Sequence, residues 1–347
     1  MFYCNIKNGR AACSSDLETT ERERPNQQNG TFIVSDNLPF IDRRKHMTKK
    51  LEAPPQLVVN STPEQSRLRI NLGKKKNSAH LSRVSKQVVL RADIHSKTVP
   101  ERDGAGKKEL IRDVQVEILK GDLVALLGGS GAGKTTVMNC LNGMDQRGVT
   151  GTVSFCGRDL YQNFDQIKRM IGSVPQQNEL HTMLSVEEEL KEAAVIRLPA
   201  ETKSKEIKKR VDDTIHTLKL DAVRKSKISK LSGGEQKRVN IGIELVADRL
   251  LLCLDEPDAG LDPASKRELF TILRDLAHKR DKSVIVIIHD VAEIALFDKV
   301  IMMAKIDNVG RLAFSGSPQD AKRHFGVEDL RDAYTIIAQE PERFLSK

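Results

Sequence analysis

Eight residues, Gly128-Gly129-Ser130-Gly131-Ala132-Gly133-Lys134-Thr135, fit G-x-x-x-x-G-K-[ST] at every fixed position. The chemistry of that pattern is anion capture. Glycines without a Cβ let several backbone N–H groups converge on one point. A helix that begins there adds the positive end of its dipole. The lysine then reaches β- and γ-phosphates, and the threonine hydroxyl takes a place on Mg²⁺. A glycine-rich turn that binds nothing is the competing reading. It is disfavoured because strand, loop, Lys-Thr pair and helix all agree: residues 122–127 read as a buried strand, and residues 136–141 as a helix. The ligand implied is a nucleoside triphosphate.

Two further strands end in polar chemistry. Leu250-Leu251-Leu252-Cys253-Leu254 is apolar and runs into Asp255-Glu256. Val284-Ile285-Val286-Ile287-Ile288 runs into His289-Asp290. Strands alternating with helices imply a largely parallel α/β sheet, whose active groups lie at the carboxyl ends of the strands. Lys134, Asp255, Glu256 and His289 all fall at such ends.

The elements that must hold these groups follow from periodicity. Residues 87–94 and 111–118 alternate as half-exposed strands should, with a turn-rich break over 99–106. Residues 151–155 read as one more short strand. Residues 186–194 and 203–218 read as amphipathic helices broken at Pro199. Another helix follows Leu231-Ser232-Gly233-Gly234-Glu235 and runs to about 247, and one more spans 263–278. Residues 300–303 and 311–314 predict a closing hairpin, and 317–347 read as helical with exposed charge. Residues 1–84 are poor in apolar period, apart from short strand candidates at Thr31-Phe32-Ile33-Val34 and Gln56-Leu57-Val58-Val59.

Composition narrows the function classes. The chain has 347 residues, 39% hydrophobic content and no Trp, enough for one or two cored domains but not for an aromatic nucleic-acid platform. No apolar run approaches the ~18 residues of a membrane span, and residues 1–8 hold no secretory h-region. Five scattered cysteines without C-x-x-C imply a reducing compartment and no zinc site. The net charge of +9 is concentrated at the start: residues 1–90 hold 16 Lys/Arg against 8 Asp/Glu, and residues 91–347 hold 41 against 40. That basic arm reads as a solvated extension. An anionic membrane surface and nucleic acid are the partners such charge would favour. Lys74-Lys75-Lys76 is a basic cluster with no chemistry attached.

At Leu231-Ser232-Gly233-Gly234-Glu235 the chain resembles a known family, the ATP-binding cassette (ABC) ATPases. The resemblance covers about residues 87–340 and rests on six motifs in family order. The phosphate loop, Gly128 to Thr135 with Thr136, comes first. Gln176 in Ile171-Gly172-Ser173-Val174-Pro175-Gln176 matches the Q-loop. The LSGGE signature, Leu254-Asp255-Glu256-Pro257 as Walker B with its catalytic glutamate, Ala259-Gly260-Leu261-Asp262 as D-loop and His289 as switch histidine follow. The resemblance implies a P-loop NTPase of α/β class: a RecA-like parallel core sheet, an antiparallel β subdomain and a helical signature subdomain at about 178–245. The cassette would span 87–317, with a basic, largely disordered extension over 1–86 and a helical tail over 318–347.

It also implies roles. ATP and Mg²⁺ would be bound, the metal by Thr135, Gln176 and Asp255. Glu256 would polarise the attacking water, with His289 and Gln176 on the γ-phosphate side. Ser232, Gly233, Gly234 and Asp262 would complete the nucleotide site of an opposite subunit, giving a head-to-tail dimer with two ATPs between the chains. The branch that fits is White/ABCG-like, on Leu141-Asn142-Gly143, residues 185–190, Ile196-Arg197-Leu198-Pro199 and Ala333-Tyr334. Its members usually carry a transmembrane half after the cassette, and none follows here before Lys347; either a membrane partner on a separate chain supplies it or that half was lost, and a place at the cytoplasmic face of a membrane is expected. A soluble ABC ATPase acting on nucleic acid or ribosomes is the alternative, but the stretch between Lys134 and Ser232 is too short for a long coiled coil, and one cassette is present. A cassette that binds ATP without turnover is opposed by Glu256, His289, Gln176 and the intact signature. The family often stacks adenine on an aromatic near residues 94–100. Here Val99, or else His95, stands at that place, and the stacking missed is worth about 1–3 kcal/mol per base.

Overall fold

A computed structural model describes residues 87–101, 106–177 and 179–340. The extension over 1–86 lies outside the described residues, with its two strand candidates and Lys74-Lys75-Lys76, as do residues 341–347. In chain order the elements are β1 (Val88–Pro100), β2 (Lys107–Leu119), β3 (Leu123–Gly128), α1 (Lys134–Leu141), β4 (Val149–Phe155), β5 (Arg158–Asp159), α2 (Phe164–Ile167) and β6 (Ile171–Val174). Then come α3 (Val186–Arg197), α4 (Ser204–Thr217), α5 (Gly233–Leu245), β7 (Leu251–Asp255), α6 (Pro263–Arg280), β8 (Ser283–Ile287), β9 (Lys299–Ile306), β10 (Val309–Gly316), α7 (Pro318–Phe325) and α8 (Leu330–Gln339).

The described strands form one sheet in the order β5-β4-β1-β2-β10-β9-β3-β8-β7-β6. From β9 to β6 all neighbours are parallel. The other half is antiparallel, apart from a two-position parallel seam between β2 and β10. The central strands have no exposed face. All six residues of β3 and all five of β8 are buried, which is why they read as continuous apolar runs rather than alternations. Side chains alternate across the sheet. Leu123, Ala125 and Leu127 join a core formed with α3 to α8, whereas Val124 and Leu126 join a second core with α1 and the antiparallel strands.

Two boundaries differ from the sequence reading. Strand β1 does not stop before the break expected at 99–106 but continues to Pro100, pairing Thr98 with Glu109 and Val99 with Lys108. β-branched residues favour that extension, and Lys97, 1% exposed, anchors it by an ion pair from Nζ to Asp145 Oδ1 at 2.7 Å. Pro100 falls at the strand's last residue, at the very end of the β1–β2 ladder. The tail is helical, but it is not all exposed charge: Ala321, Phe325, Leu330, Ala333 and Ile337 are buried in the core that holds α3 and α6.

Five of the eight described α-helices start on a side-chain cap. Ser185 accepts from the Glu188 N–H at the head of α3, and Glu188 reaches back to the Ser185 N–H at 2.9 Å, a closed capping box. Asp262 caps α6, with Pro263 at its first position. Ser185→Ala should lower unfolding stability by about 1 kcal/mol, read as a fall in the urea midpoint with unchanged slope. An unchanged midpoint would mean that α3 is held by packing alone.

Candidate functional site

Strand β3 delivers the phosphate loop and α1 carries it away. Gly133 is the N-cap of α1, with φ 85°, a left-handed conformation that suits glycine. Lys134 is buried, and its Nζ donates to the carbonyls of Gly128 at 2.9 Å and Gly129 at 3.2 Å. Burial pushes the Lys134 ammonium below its usual range, against the pull of Glu256 and Asp255. Gly129, Ser130, Gly131 and Thr135 are exposed; Ala132 is buried and Thr136 half-buried.

Four of the expected residues converge across from this loop. Thr135 Oγ1 donates to Asp255 Oδ2 at 3.4 Å. Gln176 Nε2 donates to Glu256 Oε2 at 2.6 Å, and His289 Nε2 is in hydrogen-bond contact with Glu256 Oε1. Both oxygens of Glu256 are therefore held, from the segment after β6 on one side and from the end of β8 on the other. The Glu256 backbone has φ 46°, which costs an L-residue roughly 1–2 kcal/mol. It is fixed there by an N–H donated to the Ile287 carbonyl at 3.2 Å and a carbonyl that accepts from Ala259 N–H at 3.2 Å. Strain of this kind concentrates at working positions.

The remaining expected residues are not brought to the phosphate loop. Ser232, Gly233 and Gly234 open α5, and the Ser232 hydroxyl is occupied in a capping box with Glu235, donating to Glu235 Oε2 at 2.7 Å. Gly234 packs near Ser265 of α6. Asp262 accepts from Ala264 and Ser265 N–H at 3.0 Å, and the Ser265 hydroxyl holds its carboxyl below the usual range. Among the described residues no hydrogen bond or ion pair joins these four to residues 128–136. Val99 is half-buried at the end of β1; His95 is exposed, with Nε2 3.7 Å from Asp93 Oδ1. Two shallow hollows, one along Met183, Ser185 and Lys191 and the other along His216 and Lys279, lie on other segments than the loop.

Three residues of the site carry no motif. Lys237, on α5, donates from Nζ to the Gln176 carbonyl at 2.5 Å, linking the signature helix to the Q-loop; its position one turn beyond Gly234 is the only hint in the sequence. Asp258 is buried beside Lys266, with Oδ2 and Nζ 3.5 Å apart. Gly310, on β10, lies against the back of the loop: a methyl group placed there would sit 2.3 Å from the Ala132 carbonyl oxygen. That contact is between elements far apart in sequence, so periodicity could not reveal it.

Comparison with known proteins identifies the family. Residues 111–259 match the family model described as ABC transporter. The chain carries an ABC transporter ATPase cassette. It is 32% identical over 237 residues to an ABC transporter ATP-binding/permease protein of Mycobacterium tuberculosis, covering 68% of this chain and 27% of that protein. It is 28% identical over 343 residues to ABC transporter G family member 26 of Arabidopsis thaliana, covering 94% and 48%. It is 34% identical over 227 residues to the rat broad-substrate-specificity transporter ABCG2, covering 63% and 33%. Such relatives put the cassette in the White/ABCG-like branch, and the chain spans less than half of each one's length. Among solved structures, cbiO1 of Clostridium perfringens, part of an ABC transporter complex, aligns with TM-score 0.59 and 25% identity over 74% of this chain and 98% of its own. The cassette MJ0796, solved as a dimer bound to ADP and phosphate, aligns with TM-score 0.56 and 23% identity over 66% and 98%, a likeness of fold.

The cassette's electrostatics give a testable sign. Burial, then repulsion from Glu256, raises the Asp255 carboxyl above its ordinary range, while Thr135 and Lys134 pull it down. A raised carboxyl contributes stability below its unfolded pKa and loses it as pH rises through the folded value. Asp255→Asn should therefore raise the nucleotide-free Tm near pH 7 and change it little near pH 3, by scanning calorimetry; a lower Tm at neutral pH would reverse the sign. Gly310→Ala should overpack the loop by about 1–3 kcal/mol. Weaker nucleotide binding is the expected readout, and unchanged binding would mean that the loop yields freely.

Proposed function

We propose that the cassette binds Mg-ATP and hydrolyses it as one half of a head-to-tail pair that drives a membrane transporter. The observation that carries this reading is the grip of Gln176 and His289 on the two oxygens of Glu256, opposite Lys134, Thr135 and Asp255. Backbone N–H groups of the loop and the start of α1 would receive the β- and γ-phosphates, and Lys134 would exchange its loop carbonyls for phosphate oxygens. Glu256 would then take the proton side of an attacking water, a general-base role. Gln176 and His289 would orient that carboxylate and donate toward the γ-phosphate as charge spreads over its oxygens.

Mg²⁺ fits the donors present. Among the described residues no cluster of three or more His, Cys, Asp or Glu side chains could hold a metal. Mg²⁺ needs less, because it keeps waters and phosphate oxygens and takes one or two protein oxygens. Thr135 Oγ1 and Asp255 Oδ2 form such a pair, and Gln176, bonded to the adjacent Glu256, would be the further donor. When bound, the ion would neutralise phosphate charge.

The pairing rests on what one chain lacks. Ser232, Gly233 and Gly234 make an anion-receptive helix start with no phosphate loop of their own chain beside it. A second cassette, facing in reverse, would give each helix start a γ-phosphate to cap. No helix among the described residues is long and apolar enough to cross a membrane. The transport reading gives the crossing to a permease coupled to the cassette at the cytoplasmic face. Glu256→Gln should cut hydrolysis by about 10²–10⁴-fold while retaining ATP, and should shift the protein to dimer size in Mg-ATP by light scattering. Hydrolysis at the parent rate would remove the general-base role. A strictly monomeric variant in saturating Mg-ATP would remove the pairing.

A further inference from the structure

The β9–β10 hairpin has no motif, yet it lies against the phosphate loop at two points. Strand β9 pairs with β3 as far as Met303 opposite Gly128, so the residues beyond Met303 run on alongside the loop. Side chains two apart share a face. Met303 is buried in the core that contains Ala132, Val137 and Met138 of the loop and α1, and Lys305 is therefore presented on that same face. Its ammonium is found there: a methyl group placed on Gly131 would lie 3.6 Å from Lys305 Nζ and 3.8 Å from its Cδ. The opposite member of the pair is Gly310, the residue pressed against the Ala132 carbonyl. The two-residue turn between, Asp307 and Asn308 with φ 49° and 63°, is the left-handed type that fits the twist of a tight hairpin. The hairpin thus places one side chain and one backbone unit on successive residues of the loop.

Lys305 is exposed, and among the described residues no ion pair or hydrogen bond engages its ammonium. A free cation beside a loop built to receive anions is a placement that chain folding alone does not call for. We propose that Lys305 is a nucleotide-phosphate ligand supplied from outside the phosphate loop. This rests on the reading of residues 128–135 as a triphosphate cradle. Gly131 has no side chain to displace the ammonium from its place beside the loop. A charge contact from this lysine would also compensate for the aromatic that β1 does not supply to the base, since phosphate attraction is indifferent to which base is bound.

The experiment is a titration of ATP, ADP and adenosine against the full chain, by competition with a fluorescent nucleotide, for the parent, Lys305→Met, Lys305→Arg and Lys134→Met. The expected result is a loss of about tenfold in ATP and ADP affinity for Lys305→Met, the worth of one charge-assisted hydrogen bond. Adenosine affinity should be unchanged, Lys305→Arg should keep parent affinity, and the loss should shrink in high salt because the contact is exposed. The nucleotide-free Tm of Lys305→Met should match the parent. ATP affinity within twofold of the parent, or an equal loss for adenosine, would overturn the assignment. Lys134→Met separates the two readings: if it loses ATP while Lys305→Met does not, only the Lys305 proposal fails. If neither loses ATP, the phosphate-loop reading fails with it.

Discussion

The constraint that organises this cassette is the absence of side-chain room behind the phosphate loop. A Cβ on Gly128 would lie 2.7 Å from the Met303 carbonyl oxygen, one on Gly133 would lie 2.6 Å from Ile111 Cγ2, and one on Gly310 would strike Ala132. Three different parts of the sheet, β9, β2 and β10, therefore press backbone or apolar side chain onto one short stretch. Interiors are close-packed and transmit such contacts rigidly. At Gly128, Ala132 and Gly133 the loop has little room to move toward the sheet. N–H groups held in place before a ligand arrives are worth more than ones that must reorient.

A rigid cradle next to clustered charge has a stability cost. Lys134 is held below its normal range by burial and Asp255 above its own. Glu256 adds a left-handed backbone. Each term works against the nucleotide-free fold. The terms are tolerated because the central strands bury both faces, with β3, β7 and β8 shared between two cores. Burial at roughly 25 cal/mol per Å² of apolar surface leaves room for a few strained residues at the strand ends. The same placement explains why the charges lie at carboxyl ends: there the strands stop, and the apolar cover stops with them.

Much of this was legible in the sequence because each signal was local. The runs at 122–127 and 284–288 lack alternation, and the strands they form are buried on both faces. Glycine spacing marked the cradle, and Pro199 marked a break between helices. What the sequence did not reveal depends on contacts between distant segments. The extra length of β1 comes from Lys97 meeting Asp145. The closeness of Gly310 and Lys305 to the loop comes from a strand order in which β9 and β10 intervene between β3 and β2. Asp262 has a local role beside the one its motif implies: an Asp before Pro263 is a helix cap, and the structure gives it that role within the chain.

The signature helix is where the single chain is least self-sufficient. Its first turn is capped by its own Ser232 and Glu235, which occupy the Ser232 N–H and the Glu235 N–H. The cap thus stabilises the start of α5 without an anion, and the small residues Gly233 and Gly234 add no side chain that would block one. Lys237 ties this helix to the Gln176 carbonyl, and Gln176 is also the residue that holds Glu256. In the paired arrangement proposed for the cassette, an anion capping α5 would come from the opposite nucleotide. The residue gripping this chain's own carboxylate would then be tied to the state of its neighbour's site.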